Sequence, residues 1–253
     1  MTPRLSIITP VYCNERFIEA CINNVIDQDC PNAEHIIIDG DSTDGTVEII
    51  KKYAARCSHI HWISQKDEGQ SEAMNKGIKM ARGEIIGFLN ADDFYEPNVL
   101  NHVLTIFETL PEPSLLVGSC NMWDDNNNLV FVNRPTKLKL TDILAGNEFP
   151  INPSAYFYHA SLHQEIGPYR EDLHFEMDLD FILKAVQRAT IKYVDEVWGN
   201  FRQIQGTKTL SLVNSGRIEE VQKPLMDYFK KRLSLFQQFE LLVKIAWLKI
   251  KTK

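Results

Sequence analysis

Between residues 5 and 110 the chain alternates short apolar runs with longer segments of helical period, and that rhythm leaves few folds open. Leu5–Thr9, His35–Asp39, Ile60–Ser64 and Ile85–Leu89 are too short for core helices and read as strands. Each is followed by a helical segment: 15–28, one starting near Thr46, 70–81 and 98–110. In the first of these Phe17, Ile18, Cys21, Ile22 and Val25 share one face, and Gly83 closes the third. Such alternation predicts a mostly parallel sheet flanked by helices, an α/β fold.

In sheets of this kind ligands gather beyond the carboxyl ends of the strands. Asp39 ends the second predicted strand, and Asp92 and Asp93 follow the fourth. Adjacent carboxylates repel, so something must use or neutralise them. A hard divalent cation, magnesium or manganese, suits carboxylates at a strand edge. Asp93 stands close enough to a helix start to be a cap instead.

The second half is less regular. Leu115–Gly118 and Leu129–Asn133 flank the turn-rich stretch Trp123–Asn128 and predict a hairpin. A helix over 178–189 and a strand over 191–194 follow. A helical tail starts near Ile218, with Pro224 expected to interrupt it early. Along it Leu225, Phe229, Leu233, Phe236, Val243, Trp247 and Ile250 keep helical spacing.

The net charge of −7 is unevenly spread: from Val221 onward eight Lys or Arg face Asp227 and Glu240, leaving −13 for the rest. An acidic body argues against nucleic acid as a partner, while the basic tail suits an anionic surface. Five cysteines without a C-x-x-C pair suggest neither a disulfide framework nor a zinc site, which fits a reducing cytoplasm. No opening stretch reads as a signal peptide, and no apolar run nears the roughly 20 residues of a spanning helix. The tail suits either a peripheral helix on a membrane or packing against the domain or a second subunit.

Four stretches then fall in a telling order: SIITPVYCNE (6–15), IIIDGDSTDGT (36–46), DEGQSEAMNKGIKMARGEIIGFLNADD (67–93) and EMDLDFILKAV (176–186). Together they resemble family 2 glycosyltransferases with the GT-A fold, over about residues 4–210. The resemblance implies a Rossmann-like nucleotide-binding domain over 1–217 and a helical tail over 218–253. Within the domain, about 1–95 would bind the nucleotide sugar and about 96–217 the acceptor. Pro10, Tyr12 and Glu15 would border the nucleoside, Asp39 would accept a hydrogen bond from the base, and Asp41 would touch the nucleotide. Asp67 and Gln70 would face the donor, and Lys76 would approach a phosphate.

Asn90-Ala91-Asp92 matches the family's D-x-D signature, with asparagine in the first acidic position. Asn90 would meet the ribose, Asp92 would hold manganese or magnesium on the diphosphate, and Asp93 would be a second ligand or a cap. Asp178 matches the family's general base, which implies inversion at the anomeric carbon. Arg202 would bind phosphate, with Lys208 as a helper. Three departures stand out: Met74 where many relatives have arginine, Met177 in place of an acid, and no histidine after Arg202. Cys13, Ser42, Asp44 and Thr46 read as structural, and His159 and His163 as surface or core residues.

The expected reaction moves a hexosyl or N-acetylhexosaminyl group from a nucleotide-diphosphate sugar, expected to be a UDP-sugar, to an acceptor hydroxyl. By family the acceptor would be a saccharide linked to polyprenyl diphosphate, at the inner face of the plasma membrane, in bacterial polysaccharide synthesis. Two rivals remain: a silent member that binds the sugar nucleotide or scaffolds an assembly, and a nucleotidyltransferase. TPVYCNE has no glycine for a phosphate loop, which counts against the latter.

Overall fold

The computed structural model describes residues 2–205, 210–212 and 215–251. Lys208 lies outside the described residues. The first half runs β1 (Leu5–Val11), α1 (Ile18–Ile26), β2 (Ala33–Asp39), α2 (Thr46–Ala54), β3 (Ile60–Ser64), α3 (Gln70–Met80) and β4 (Ile85–Phe88). Strands β2 and β4 flank β1 in parallel, and β3 joins the outer side of β2. The register aligns Val11 with Asp39 and Asp39 with Ser64, so these strands end at one edge.

Helix α1 opens at Ile18 rather than near Glu15, because residues 14–17 form a turn closed by the Phe17 N–H on the Asn14 carbonyl. Cys13 takes a left-handed φ of 45°, and the backbone N–H groups of Cys13 and Asn14 bond the Ser42 and Thr46 hydroxyls. Both faces of the sheet are buried, which gives β1 and β2 their unbroken apolar runs. Ile8, Ile36 and Ile38 meet α3 on one side, while Leu5 and Ile7 meet Cys21 and Val25 of α1 on the other.

A two-residue strand, β5 (Phe94–Tyr95), and α4 (Val99–Phe107) lead into β6 (Ser114–Trp123) and β7 (Leu129–Asn133), the expected hairpin. Next come α5 (Leu140–Leu144), β8 (Tyr156–His159), α6 (Leu162–Ile166), α7 (Met177–Ala185) and β9 (Thr190–Arg202). The nine-stranded sheet has the order β3-β2-β1-β4-β8-β6-β9-β5, with β7 on β6. Strand β8 pairs antiparallel with both β4 and β6, so the α/β sheet is parallel through its first half and mixed beyond it. The β4–β8 and β5–β9 pairings join residues on both sides of position 95.

Strand β9 has 13 residues where periodicity suggests only 191–194. Asp195 and Glu196 break the apolar pattern, and a register shift takes them up: Val117 pairs Tyr193 while Ser119 pairs Val197. The extra length carries the strand on to Arg202.

Two helices close the chain, α8 (Ile218–Lys230) and α9 (Leu235–Lys251). Pro224 does not interrupt the tail; it lies inside α8, and the break falls at 231–234 instead. The carbonyl of Glu220, left without a Pro N–H, belongs to an exposed residue, where water can take the bond. Leu225, Phe229, Leu233 and Leu241 are buried in the same cluster as Ile8, Phe88 and Phe181. No helix among the described residues is long and apolar enough to cross a membrane.

Candidate functional site

At the carboxyl ends of β1 and β4 lies a cleft of about 500 Å³. Pro10, Tyr12, Asp67, Gln70, Asn90, Ala91, Asp92 and Arg202, all expected at the donor site, line it together. Tyr12 is 65% exposed, an aromatic face with nothing stacked on it among the described ring pairs. Asn14, Gly69, Ala73 and Phe201 also line the cleft; the first three lie in the quoted stretches without an assigned role, and Phe201 lies outside them. A larger groove of about 740 Å³ sits at the far end of β9 from Arg202, beside Ile191, Tyr193 and Glu240. It is remote from the strand ends that gather the carboxylates.

Several expected residues do other work. Asp39 is fully buried: its carboxylate accepts from the Asp41 and Ser42 backbone N–H groups at 3.1 and 3.0 Å and from the Ser42 and Ser64 hydroxyls. It builds the turn on which exposed Asp41 takes a φ of 69°. Glu15 accepts from the Gly45 N–H at 2.8 Å and so anchors the start of α2. Asp44 accepts from the N–H of Glu15 and of Thr46, as a structural residue would. Lys76 pairs with Glu72 at 2.9 Å and donates to the Lys66 carbonyl, and it does not line the cleft. Met74 is 1% exposed in the core, so this position sends nothing toward a diphosphate.

Asp67 is half-buried, and burial raises its pKa. Its Oδ1 accepts from the Gly69 N–H, while its Oδ2 would lie 2.9 Å from a Cβ at position 40, so the approach depends on Gly40. Gly69, at φ 148°, opens α3 into the cleft, and a helix N-terminus there favours an anion.

The two carboxylates after β4 separate. Asp93 is 2% exposed, and its oxygens accept from the Asn90 amide (3.0 Å), the Asn152 amide (2.8 Å) and the Arg202 backbone N–H (3.1 Å). Burial, and then the neighbouring Asp92, push its pKa up. With its acceptor sites taken and no place in the cleft wall, Asp93 ties β4, the turn before β8 and the end of β9 together. Asp92 instead faces the cleft, and its carboxyl oxygens accept no hydrogen bond from another described residue. Burial raises its pKa, and the Arg202 guanidinium opposes the rise. Arg202 donates to the Asp92 carbonyl at 3.0 Å and lies 4.5 Å from the Phe94 ring centroid. Gln70 donates to Asn90 Oδ1 at 3.0 Å, which fixes the amide that in turn meets Asp93.

This donor set fits a divalent cation shared with a ligand. Among the described residues no three His, Cys, Asp or Glu gather as a cage. One unpaired, partly desolvated carboxylate completed by phosphate oxygens and water is a common magnesium arrangement.

Asp178 is the second residue of α7, half-buried, with the Tyr156 hydroxyl donating to Oδ1 at 3.1 Å. Burial pushes its pKa up to about 6, the tyrosine hydrogen bond pulls the other way, and no charged side chain contributes. Its neighbour Met177 lines a small opening that shares Gly69 and Gln70 with the cleft. Asp180 is occupied by Lys184 at 2.6 Å. His159 is buried at the end of β8, and the half-buried His163 bonds the Tyr158 hydroxyl, so neither faces the cleft. Tyr156 and Asn152 are the supporting residues that sequence reading misses, since neither sits in a recognisable motif.

The profile of glycosyl transferase family 2 matches residues 6–166. The Bacillus subtilis glycosyltransferase EpsJ is 31% identical over 209 residues, covering 78% of this chain and 60% of EpsJ. An Escherichia coli chondroitin synthase is 26% identical over 82% of this chain, which spans 30% of that enzyme's length. Among solved structures, S. aureus TarS 1–349 superposes with a TM-score of 0.71 at 21% identity, covering 96% of this chain and 70% of that one. A mannosyltransferase from Pyrobaculum calidifontis, in complex with GDP-Man and Mn2+, gives 0.61 at 17% identity, covering 100% of this chain and 76% of its own. At such identities the superpositions speak for the GT-A fold alone. With nearly two-thirds of its length under the family profile, the chain belongs to glycosyl transferase family 2.

Proposed function

We propose that the chain is an inverting transferase that moves a sugar from a UDP-sugar to a saccharide hydroxyl. The observation that carries this reading is Asp178, which follows Met177 of the opening adjoining the cleft and is held by the Tyr156 hydroxyl at 3.1 Å, with a pKa pushed up to about 6 that suits a general base near neutral pH. In the proposed step Asp178 takes the proton of the acceptor hydroxyl, and that oxygen forms the new bond to the anomeric carbon. The carbon's bond to the diphosphate oxygen breaks, its electron pair leaving with the nucleoside diphosphate. Attack opposite the leaving group inverts the anomeric centre.

The donor assignment rests on the cleft. Tyr12 offers a face to the base, the start of α3 and Arg202 offer positive potential to the diphosphate, and Asp92 would hold manganese or magnesium. A bound cation would stabilise charge on the leaving diphosphate. The structural neighbour S. aureus TarS has been crystallised with UDP and with UDP-GlcNAc, which supports a UDP-sugar here. A lipid-linked saccharide as acceptor belongs to the same proposal, supported by the apolar side chains that α9 presents to solvent.

The test pairs binding with turnover. Thermal unfolding against UDP, GDP, dTDP and CDP, with and without manganese, should show a manganese-dependent stabilisation by UDP, about 2.7 kcal/mol at a hundredfold excess over Kd. Asp178→Asn should keep that stabilisation while transfer falls by roughly 10²–10⁴. Undiminished transfer by the variant would remove Asp178 as base; a wild-type chain that no nucleotide stabilises would remove the donor site.

A further inference from the structure

Helix α9 is turned inside out. Leu235, Phe236, Phe239, Leu242, Val243 and Ile250 are each more than half exposed. At about 100° per residue they fall on one side of the helix. A surface helix normally buries such a stripe; this one cannot roll to do so, because its other side is already fastened. Leu241 is 7% exposed in the main core, and Lys244 forms ion pairs with Asp142 (2.7 Å) and Glu240 (2.9 Å) and donates to Thr141 (2.9 Å). At the outer margin the Lys137 ammonium lies 5.3 Å from the Trp247 ring centroid.

Charge decides what covers the stripe. Lys230 and Lys231 just before α9, and Lys249 within it, form no ion pair with any described residue. A second copy packed face to face would set these lysines against their own kind. An anionic surface would neutralise them, and the −13 carried by residues 1–220 would orient the acidic body away from it. Helix α9 has 17 residues, enough to lie along an interface and too few to cross it.

We propose that the exposed face of α9 lies in an anionic lipid surface, apolar side chains at the acyl boundary and lysines at the phosphates. This stands apart from the transfer reading and survives if that reading fails. The test is sedimentation of the full chain with vesicles of phosphatidylglycerol and phosphatidylcholine, against phosphatidylcholine alone, with sedimentation velocity on the protein by itself. Binding should appear with the anionic vesicles and weaken as salt is raised. Phe239→Glu with Leu242→Glu should lower partitioning at least ~10-fold, and Lys230→Gln with Lys231→Gln and Lys249→Gln about 100-fold. Circular dichroism and the melting midpoint of both variants should match the parent, since four of the five side chains are exposed and the fifth, Lys230, is half-buried with no ion pair to a described residue. Three results would overturn the proposal: a folded chain that ignores anionic vesicles, binding that survives the double variant, or a dimer that the double variant dissolves in a chain that binds no vesicle.

Discussion

Removing the Asp93 carboxylate would strand three donors at once: the amides of Asn90 and Asn152 and the backbone N–H of Arg202. Unpaired buried donors are costly, and losing a desolvated carboxylate offsets only part of that. Asp93→Ala should therefore cost about 2 kcal/mol, seen as a Tm lower by roughly 4–8 °C. Asp92→Ala breaks no side-chain hydrogen bond to another described residue, so its Tm should stay near the parent's while the proposed manganese-dependent nucleotide binding is lost. Calorimetry on both variants separates the ligand from the strut.

Asp178 makes a second test, through pH. As the proposed base, with a folded pKa of about 6, Asp178 would be competent only as pH rises through that value, so transfer should climb through the same range. Tyr156→Phe removes the one hydrogen bond that favours the carboxylate. The acidic limb of the pH–rate profile should then move upward by up to ~1 unit, with KM for the donor unchanged. The stability sign follows from the same shift. Between about pH 4, where the unfolded side chain releases its proton, and about 6, the folded chain still holds it, so Asp178 costs stability as pH rises across that window.

At the scale of elements, legibility tracked the source of each signal. Strands β1 to β4 and helix α3 are written locally, in apolar runs and turn residues, and the chain follows them closely. The length of β9 is written in its partners: Asp195 and Glu196 look like the end of a strand until β6 absorbs them in a register shift. Strand β8 is a short aromatic run whose place between β4 and β6 depends on partner residues 39 or more positions away in either case. The candidate site divides in the same way. Asp92 and Asp178 sit in motifs, whereas Tyr156, Asn152 and Phe201 reach the site only through pairing that no local window contains. Lys76 and Glu15 show the reverse failure, motif residues spent on local ion pairs and turns. The tail offers a prediction of its own. If α9 is part of the main core, Leu241→Ala should destabilise the whole chain by about 2 kcal/mol in a urea titration. A tail that folds separately would leave the main transition where it was.

The whole molecule is one sheet threaded twice. Leu116, Phe157 and Trp198 complete the cluster that Leu5, Ile7 and Ile85 begin. A fragment of residues 1–110, although it holds every strand of the parallel half, lacks those side chains and leaves the outer edge of β4 unpaired. Circular dichroism should show no cooperative melting for it; a sharp transition would make the parallel half an autonomous unit.

The Asp93 knot also sets a timetable. Its partners Asn152 and Arg202 lie 59 and 109 residues further along the chain. At about 5–20 residues per second, a ribosome delivers Arg202 roughly 5–20 s after Asp93. For that interval the turn carrying Asp92 lacks its tie to β9, so a nascent chain cannot complete the cleft until β9 has been made and zipped onto β5.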